Sequence, residues 1–273
     1  MTAGEAIRAA AERLAAVSDT ARLDAEVLMA HLFGVSRSDL LLRHMRDPAP
    51  PGFPALVERR FSHEPVAYIT GRQEFYGLPF IVTPATLIPR GDSETLVEAA
   101  LAVRPDAKRV LDLGTGSGAL LLAMLAYLRE AQGVGIDRSQ EALAVAARNA
   151  EQLGLRPQAD FRQGDWHAPG WAETLGTFDL ILCNPPYVES GAVLDPDVRD
   201  HEPASALFAG PEGLDDYRVI IPQLRALMNP EGLAILEIGA NQAEAVSAIA
   251  DAAGFTVELR RDLAGRPRAL ILR

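Results

Sequence analysis

The stretch "VLDLGTGSGALLLAML", Val110 to Leu125, decides the fold. A short apolar run gives way to glycines at 114, 116 and 118, and a second apolar run of helical length follows. A strand passing through a glycine-rich turn into a helix opens a sheet-and-helix unit that binds nucleotide-like cofactors. Glycine lets a ligand approach the backbone, and the helix N-terminus offers unpaired N–H groups. The loop alone does not separate cofactor classes. Gly114-x-Gly116-x-x-Ala119 also satisfies the dinucleotide fingerprint of a dehydrogenase, and a plain structural turn is the third reading.

Outward from this stretch, strands are expected near 109–113, 133–137, 159–162, 178–183, 232–238, 256–261 and 268–273. Helices are expected near 117–130, 139–153, 214–228 and 241–253. Alternation of this kind predicts an α/β fold with a mostly parallel sheet covered on both faces. The last two strands, joined by "DLAGRP", form a hairpin, so the final strand runs antiparallel. Seven strands with one reversed resemble the Rossmann-like sheet of class I methyltransferases.

Residues 2–64 read as all-helical, with Ile7, Leu14 and Val17 on one face and Leu23, Val27, Leu28 and Leu32 on another. Ser36 and Asp39 resemble a capping box, and "DPAPPGFP" (47–54) is a loop before a further helix to about His63. "EFYGLPFIV" (74–82) predicts two short strands around Gly77-Leu78-Pro79, and Asp92 or Ser93 is expected to cap a helix through Leu101. The domain division expected is 1–70 helical bundle, 71–88 hairpin linker and 89–273 catalytic domain.

Composition is that of a globular protein, 48% hydrophobic and 23% charged. The first 60 residues are balanced in charge, so the net charge of -11 falls on the rest and disfavours phosphate backbones as partners. Cys183 is the single cysteine, which excludes an internal disulfide, fits a reducing cytoplasm, and reads as core rather than nucleophile. Glu5, Glu12 and Asp19 argue against a transit peptide. The apolar run Ala119–Leu128 is too short to span a bilayer, so no membrane is expected. The five histidines show no ligand spacing, and no metal is expected.

After the glycine loop, "GVGID" ends at Asp137, where an acid meets ribose hydroxyls in either cofactor class; its rival role is to cap the next helix. One strand later "QGDW" places Asp165 and Trp166 where an adenine would rest, with Trp166 as plain core the alternative. The stretch that separates hydride from methyl transfer is "FDLILCNPPYVE", Phe178 to Glu189. Asn184-Pro185-Pro186-Tyr187 falls at the strand end beside the glycine loop. A planar NH2 group carries two donors and a delocalised lone pair. The Asn184 oxygen and the Pro185 carbonyl can each accept one N–H, which frees the lone pair, while two prolines bring no competing donors. Tyr187 offers a flat face to a planar acceptor. Catalysis is then positioning and electrostatics, with no general base.

These residues, with "EPVAYITGRQEFYGLPFIVTPATLIPRGDSETLVE", "GIDRS", "DHEPASALFAGPEGLD" and "LEIG", resemble the protein-(glutamine-N5) methyltransferases of class I peptide-chain release factors. The resemblance implies S-adenosylmethionine as cofactor and the glutamine of a Gly-Gly-Gln motif as acceptor. It implies Gly114, Thr115, Gly116, Ser117, Gly118, Asp137, Trp166 and Asn184 as cofactor residues. It implies Asn184, Pro185, Pro186 and Tyr187 as acceptor residues, with Arg90 and Glu202 nearby. Gly91 stands where the family usually has a second proline. The competing readings are a ribosomal-protein glutamine methyltransferase, an adenine-N6 methyltransferase that would have to flip a base, and a non-catalytic module binding cofactor and partner.

Overall fold

The structure, a computed structural model, describes residues 1–273. It divides into two compact units, Met1–Arg72 with Leu194–Glu202, and Gln73–Val193 with Pro203–Arg273.

The first unit is helical. It comprises α1 (Ala3–Leu14), α2 (Ala21–Phe33), α3 (Arg37–Asp39) continued by a π turn at Leu40–His44, α4 (Phe53–Phe61) and α5 (Val66–Thr70). A capping box between Thr2 and Glu5 starts α1, and left-handed Gly34 ends α2. Ser36 does cap α3, its hydroxyl oxygen accepting from Asp39 N at 3.0 Å. Leu23 is a correction: it is 43% exposed, because the buried stripe of α2 runs through Ala21, Ala25, Leu28 and Met29. The core also buries charge. Arg60 Nε donates to Asp24 Oδ2 at 2.7 Å, and Glu26 accepts from both Arg22 and Arg37. Buried ions persist when paired in this way. The distant segment Leu194–Glu202, with its short helix Pro196–Arg199, adds Asp197, whose Oδ2 lies 2.8 Å from Arg60 Nη1. No sequence signal marks this segment as belonging with the helices.

The second unit opens with a hairpin, β1 (Arg72–Phe75) and β2 (Leu78–Ile81). Its turn is Tyr76-Gly77, both at positive φ, so Leu78 and Pro79 belong to the strand rather than to the turn. A 3-10 turn at Gly91–Ser93 leads into α6 (Glu94–Val103). Neither Asp92 nor Ser93 caps that helix with its side chain; both are engaged elsewhere.

Then come β3 (Arg109–Leu113), α7 (Ala119–Tyr127), β4 (Gln132–Asp137), α8 (Gln140–Gln152), β5 (Ala159–Gln163) and β6 (Phe178–Cys183). The chain closes with α10 (Asp215–Leu227), counting the segment helix as α9, then β7 (Met228–Glu237), α11 (Ala243–Ala252), β8 (Val257–Arg261) and β9 (Pro267–Leu272). The seven strands lie in the order β5-β4-β3-β6-β7-β9-β8, and β9 is antiparallel to both neighbours. Inner strands are apolar along their length because both faces are covered: Val110, Leu111, Leu180 to Cys183 and Leu233 to Leu236 are all buried. Strand order reverses at β3, which pairs with β4 on one side and β6 on the other. Their register aligns Leu113 with Ile136 and with Cys183, so the loops beyond these strands meet at one edge. That switch point is where open sheets of this class place ligands.

Candidate active site

Beyond the switch point lies a cavity of about 310 Å³, within the range of small-molecule sites. Its wall includes Gly114, Thr115, Gly116 and Ser117, then Asp137, then Asp165 and Trp166, and finally Asn184 and Pro186. Four separate sequence motifs therefore converge on one space.

The glycine loop is held from beneath. Gly114 N and Thr115 N both donate to Ile136 O, at 2.8 and 2.9 Å. The Thr115 hydroxyl donates to Asp112 Oδ2 at 2.7 Å, while Asp112 Oδ1 has no hydrogen-bond partner. Burial pushes the Asp112 carboxyl up to about 7, the Thr115 hydrogen bond opposing it. Gly114 takes φ +73, and a Cβ there would meet the Trp166 ring at 3.3 Å. Gly116 is different: a Cβ there would meet only Gly114 O, at 3.9 Å, so its bare backbone faces open space. Gly118 does not line the cavity. A Cβ on it would meet Leu122 and Ala146 at 3.1 and 3.2 Å, so it is needed for close packing of α7 on α8.

Asp137 accepts from Gly116 N and from Ser139 N, each at 2.9 Å, which ties the loop after β4 to the loop after β3. Each carboxylate oxygen keeps a further lone pair for a ligand. Ser139 rather than Asp137 caps α8 with its side chain. Trp166 is half-buried at the cavity wall, and its Nε1 donates to Asp216 Oδ1 at 2.7 Å. Asp216, in the first turn of α10, was not expected from sequence. A carboxylate in a helix first turn is ordinary dipole complementation, so nothing local marks it.

At the end of β6, Asn184 and Pro186 reach the cavity, whereas Pro185 is buried behind them. The Asn184 amide donates from Nδ2 to Ser93 Oγ at 3.5 Å. Tyr187 does not line the cavity. Its hydroxyl donates to Glu237 Oε1 at 3.2 Å, and burial together with the Glu237 charge drives its phenol well above the usual range. The Tyr187 carbonyl accepts from Gln242 Nε2 at 3.0 Å, which fixes the motif on its other side. Glu237 ends β7 and is 1% exposed; burial raises its carboxyl, with Ser93, Arg268 and Tyr187 opposing. Ser93, expected only as a helix cap, and Glu237 join Asp216 as residues whose place here sequence reasoning missed.

Beyond the motif, Val188 bridges to Phe208, so the segment around Ala206 to Gly210 covers part of the cavity. Arg90 is exposed and precedes the 3-10 turn; Glu202 is buried and lies in the helical unit's distant segment. Gly91 has no atom within 4 Å of a built Cβ, so the substitution of the usual proline meets no steric demand. Cys183 is buried, and burial pushes its thiol well up, as suits a core cysteine.

Family models match in two places: a PrmC N-terminal domain over residues 5–71 and a methyltransferase domain over residues 105–255. A release factor glutamine methyltransferase from Cereibacter sphaeroides is 43% identical, covering 100% of this chain and 99% of that one. One from Moorella thermoacetica is 41% identical, covering 99% and 98%. Among solved structures, the hMettl16 catalytic domain in complex with MAT2A 3'UTR hairpin 6 superposes with a TM-score of 0.56 at 16% identity, covering 76% of this chain and 79% of that chain. That likeness concerns the fold alone.

Proposed function

The chain belongs to the family of release factor glutamine methyltransferases, and from that premise we propose how its cavity serves the reaction. The protein is an S-adenosylmethionine-dependent methyltransferase that modifies the side-chain amide nitrogen of a glutamine. The acceptor is the glutamine of the Gly-Gly-Gln motif of a class I release factor. Bound S-adenosylmethionine supplies an electrophilic sulfonium methyl.

The residues present fit that cofactor. Gly116 leaves bare backbone where a Cβ would intrude, Asp137 keeps lone pairs for ribose hydroxyls, and the Trp166 ring is braced for a base. Thr115, Ser117 and Gly114 complete the cradle, and Gly118 contributes by packing. On the acceptor side, Asn184 Oδ1 accepts one N–H and the Pro185 carbonyl the other. This holds the nitrogen with its lone pair free, and the nitrogen sheds one proton as it gains the methyl. Pro186 bounds the acceptor slot, and Tyr187 holds the motif in place through Glu237 instead of stacking on the substrate.

The observation that carries this reading is the convergence of Asn184 and Gly114 at the switch point: a Cβ on Gly114 would lie 3.9 Å from Asn184 O. An acceptor amide and a cofactor methyl brought to these two loops would meet. Residues 1–70 are the part we assign to recognising the release factor, with 71–88 as linker and 89–273 as the catalytic part. The net charge of -11 favours a protein over a nucleic-acid acceptor. We place the reaction in the cytoplasm, where release factors work; no helix here is long and apolar enough to cross a membrane.

The test is mass spectrometry of a release factor after reaction, with the methyl located. A glutamate in place of the Gly-Gly-Gln glutamine offers no N–H donor, and a site built around two such bonds rejects it by roughly 10⁴–10⁵. Label on adenine, or on a release factor lacking that glutamine, would overturn the reading.

A further inference from the structure

A flat ring on a cavity wall serves a base only if its plane is fixed, and the N–H of a half-buried indole needs an acceptor. Trp166 meets both demands, gripped from two opposite edges.

Its benzo edge lies against the glycine loop: a Cβ built on Gly114 would stand 3.3 Å from Cη2 and 3.5 Å from Cζ3. At the other edge Nε1 donates to Asp216 Oδ1 at 2.7 Å. Nε2 of the next residue, His167, lies 3.0 Å from the same oxygen, so one carboxylate gathers two consecutive rings. Asp216 is only 7% exposed, which sets it apart from the solvated acid that a helix first turn ordinarily carries.

Two turns along α10, and so on the same face, Gln223 holds the segment again. Its Nε2 donates to Trp166 O at 3.2 Å, and its Oε1 accepts from Trp171 Nε1 at 2.6 Å. The helix has a firm seat of its own: Tyr217, fully buried, donates its hydroxyl to Glu237 O at 2.6 Å and ties α10 to the end of β7. The stretch from Gly164 to Gly170 is neither helix nor strand. Its rings therefore take their places from α10, a helix more than 40 residues later in the chain.

We propose that Asp216 is the positioning residue of the cofactor's base: by accepting the Trp166 N–H it fixes the plane of the indole, and so sets cofactor affinity from behind the cavity wall. Without that acceptor the N–H has to turn towards water, and the ring turns with it. The inference rests on the proposed function, because it takes the ligand beside Trp166 to be S-adenosylmethionine.

The experiment measures S-adenosylmethionine dissociation constants by calorimetry for D216A, D216N, W166F and W166F/D216A in the full chain, with KM and kcat for methyl transfer to a release factor alongside. D216A is expected to weaken cofactor binding about tenfold, the size of one net hydrogen bond, and to raise the cofactor KM more than it lowers kcat. D216N should restore most of that loss, because an amide oxygen still accepts the indole N–H. W166F keeps a flat ring but has no N–H, so D216A in that background should cost nothing further. Wild-type cofactor affinity in D216A would overturn the inference, as would equal losses in D216N and D216A, or a full D216A effect on top of W166F. A wild-type chain that binds no S-adenosylmethionine would instead overturn the proposed function, and the inference with it.

Discussion

Gly213 lies so close to Tyr187 that a Cβ built on it would stand 2.2 Å from the Tyr187 carbonyl oxygen. It also holds φ +67, a conformation that costs an L side chain roughly 1–2 kcal/mol. The Asn-Pro-Pro-Tyr turn is thus moulded against a bare backbone from the stretch "DHEPASALFAGPEGLD", distant from it in sequence. Gly213→Ala is expected to lower the melting temperature and to cut turnover, while leaving cofactor affinity near wild type, because the glycine loop is not touched. Full turnover in a folded Gly213→Ala variant would show that the turn has room to move.

Asp137→Ala removes the acceptor of two loop amides along with the proposed ribose contact. Hydrogen bonds to a charged group are worth about 1.5–3 kcal/mol, so cofactor affinity is expected to fall by roughly ten- to a hundredfold. Calorimetry measures this directly. An unchanged dissociation constant would take Asp137 out of the cofactor site.

Asn184→Ala is expected to leave the fold intact and to abolish most methyl transfer. Loss of one preorganised polar contact in an active site costs on the order of 10²–10³ in rate. Single-turnover kinetics with saturating release factor isolates the chemical step. A variant that transfers at the wild-type rate would leave the acceptor amide without its holder.

Asp112 gives a pH dependence of known sign. Its folded carboxyl is raised to about 7 from the model-compound value of 3.8. Between those values the folded state keeps a proton that the unfolded state has released. Stability is therefore fullest below the unfolded value and falls, by up to about 1.4 kcal/mol per pH unit, until the folded value is passed. Asp112→Asn cannot ionise yet still offers the Thr115 hydroxyl an acceptor. The melting temperature of this variant relative to wild type is expected to rise from pH 5 to pH 7 and then level off. A constant difference across that range would show that Asp112 does not titrate there.

The sheet was legible because its inner strands are buried on both faces: "VLDL" and "LILC" carry the run of apolar residues that such burial demands, and glycine or proline ends them. The glycine loop and Asn184 were legible because each motif is contiguous. What stayed hidden joins residues far apart. Ser93 reads as a helix cap, since serine before a helix usually is one, and its side-chain partner is Asn184, 91 residues away just past β6. Asp216 reads as a helix first-turn acid, and the indole it braces lies 50 residues away. Tyr187 reads as a stacking face because sequence shows a ring but not what its hydroxyl meets. Gly118 reads as a cofactor glycine because the spacing fits, whereas its lack of a side chain makes room for Ala146.

The helical unit that comes first in the chain cannot be finished first. His63 and Asp197, which meet at 3.1 Å within it, are 134 residues apart. At synthesis rates of roughly 5–20 residues per second, the missing segment leaves the ribosome about 7–27 s after the helices that receive it. Through that interval Arg60, buried in the finished unit, has Asp24 for company but not Asp197. The nascent helices therefore wait as an incomplete bundle while most of the sheet is made, and the last piece of the first domain arrives from the middle of the second.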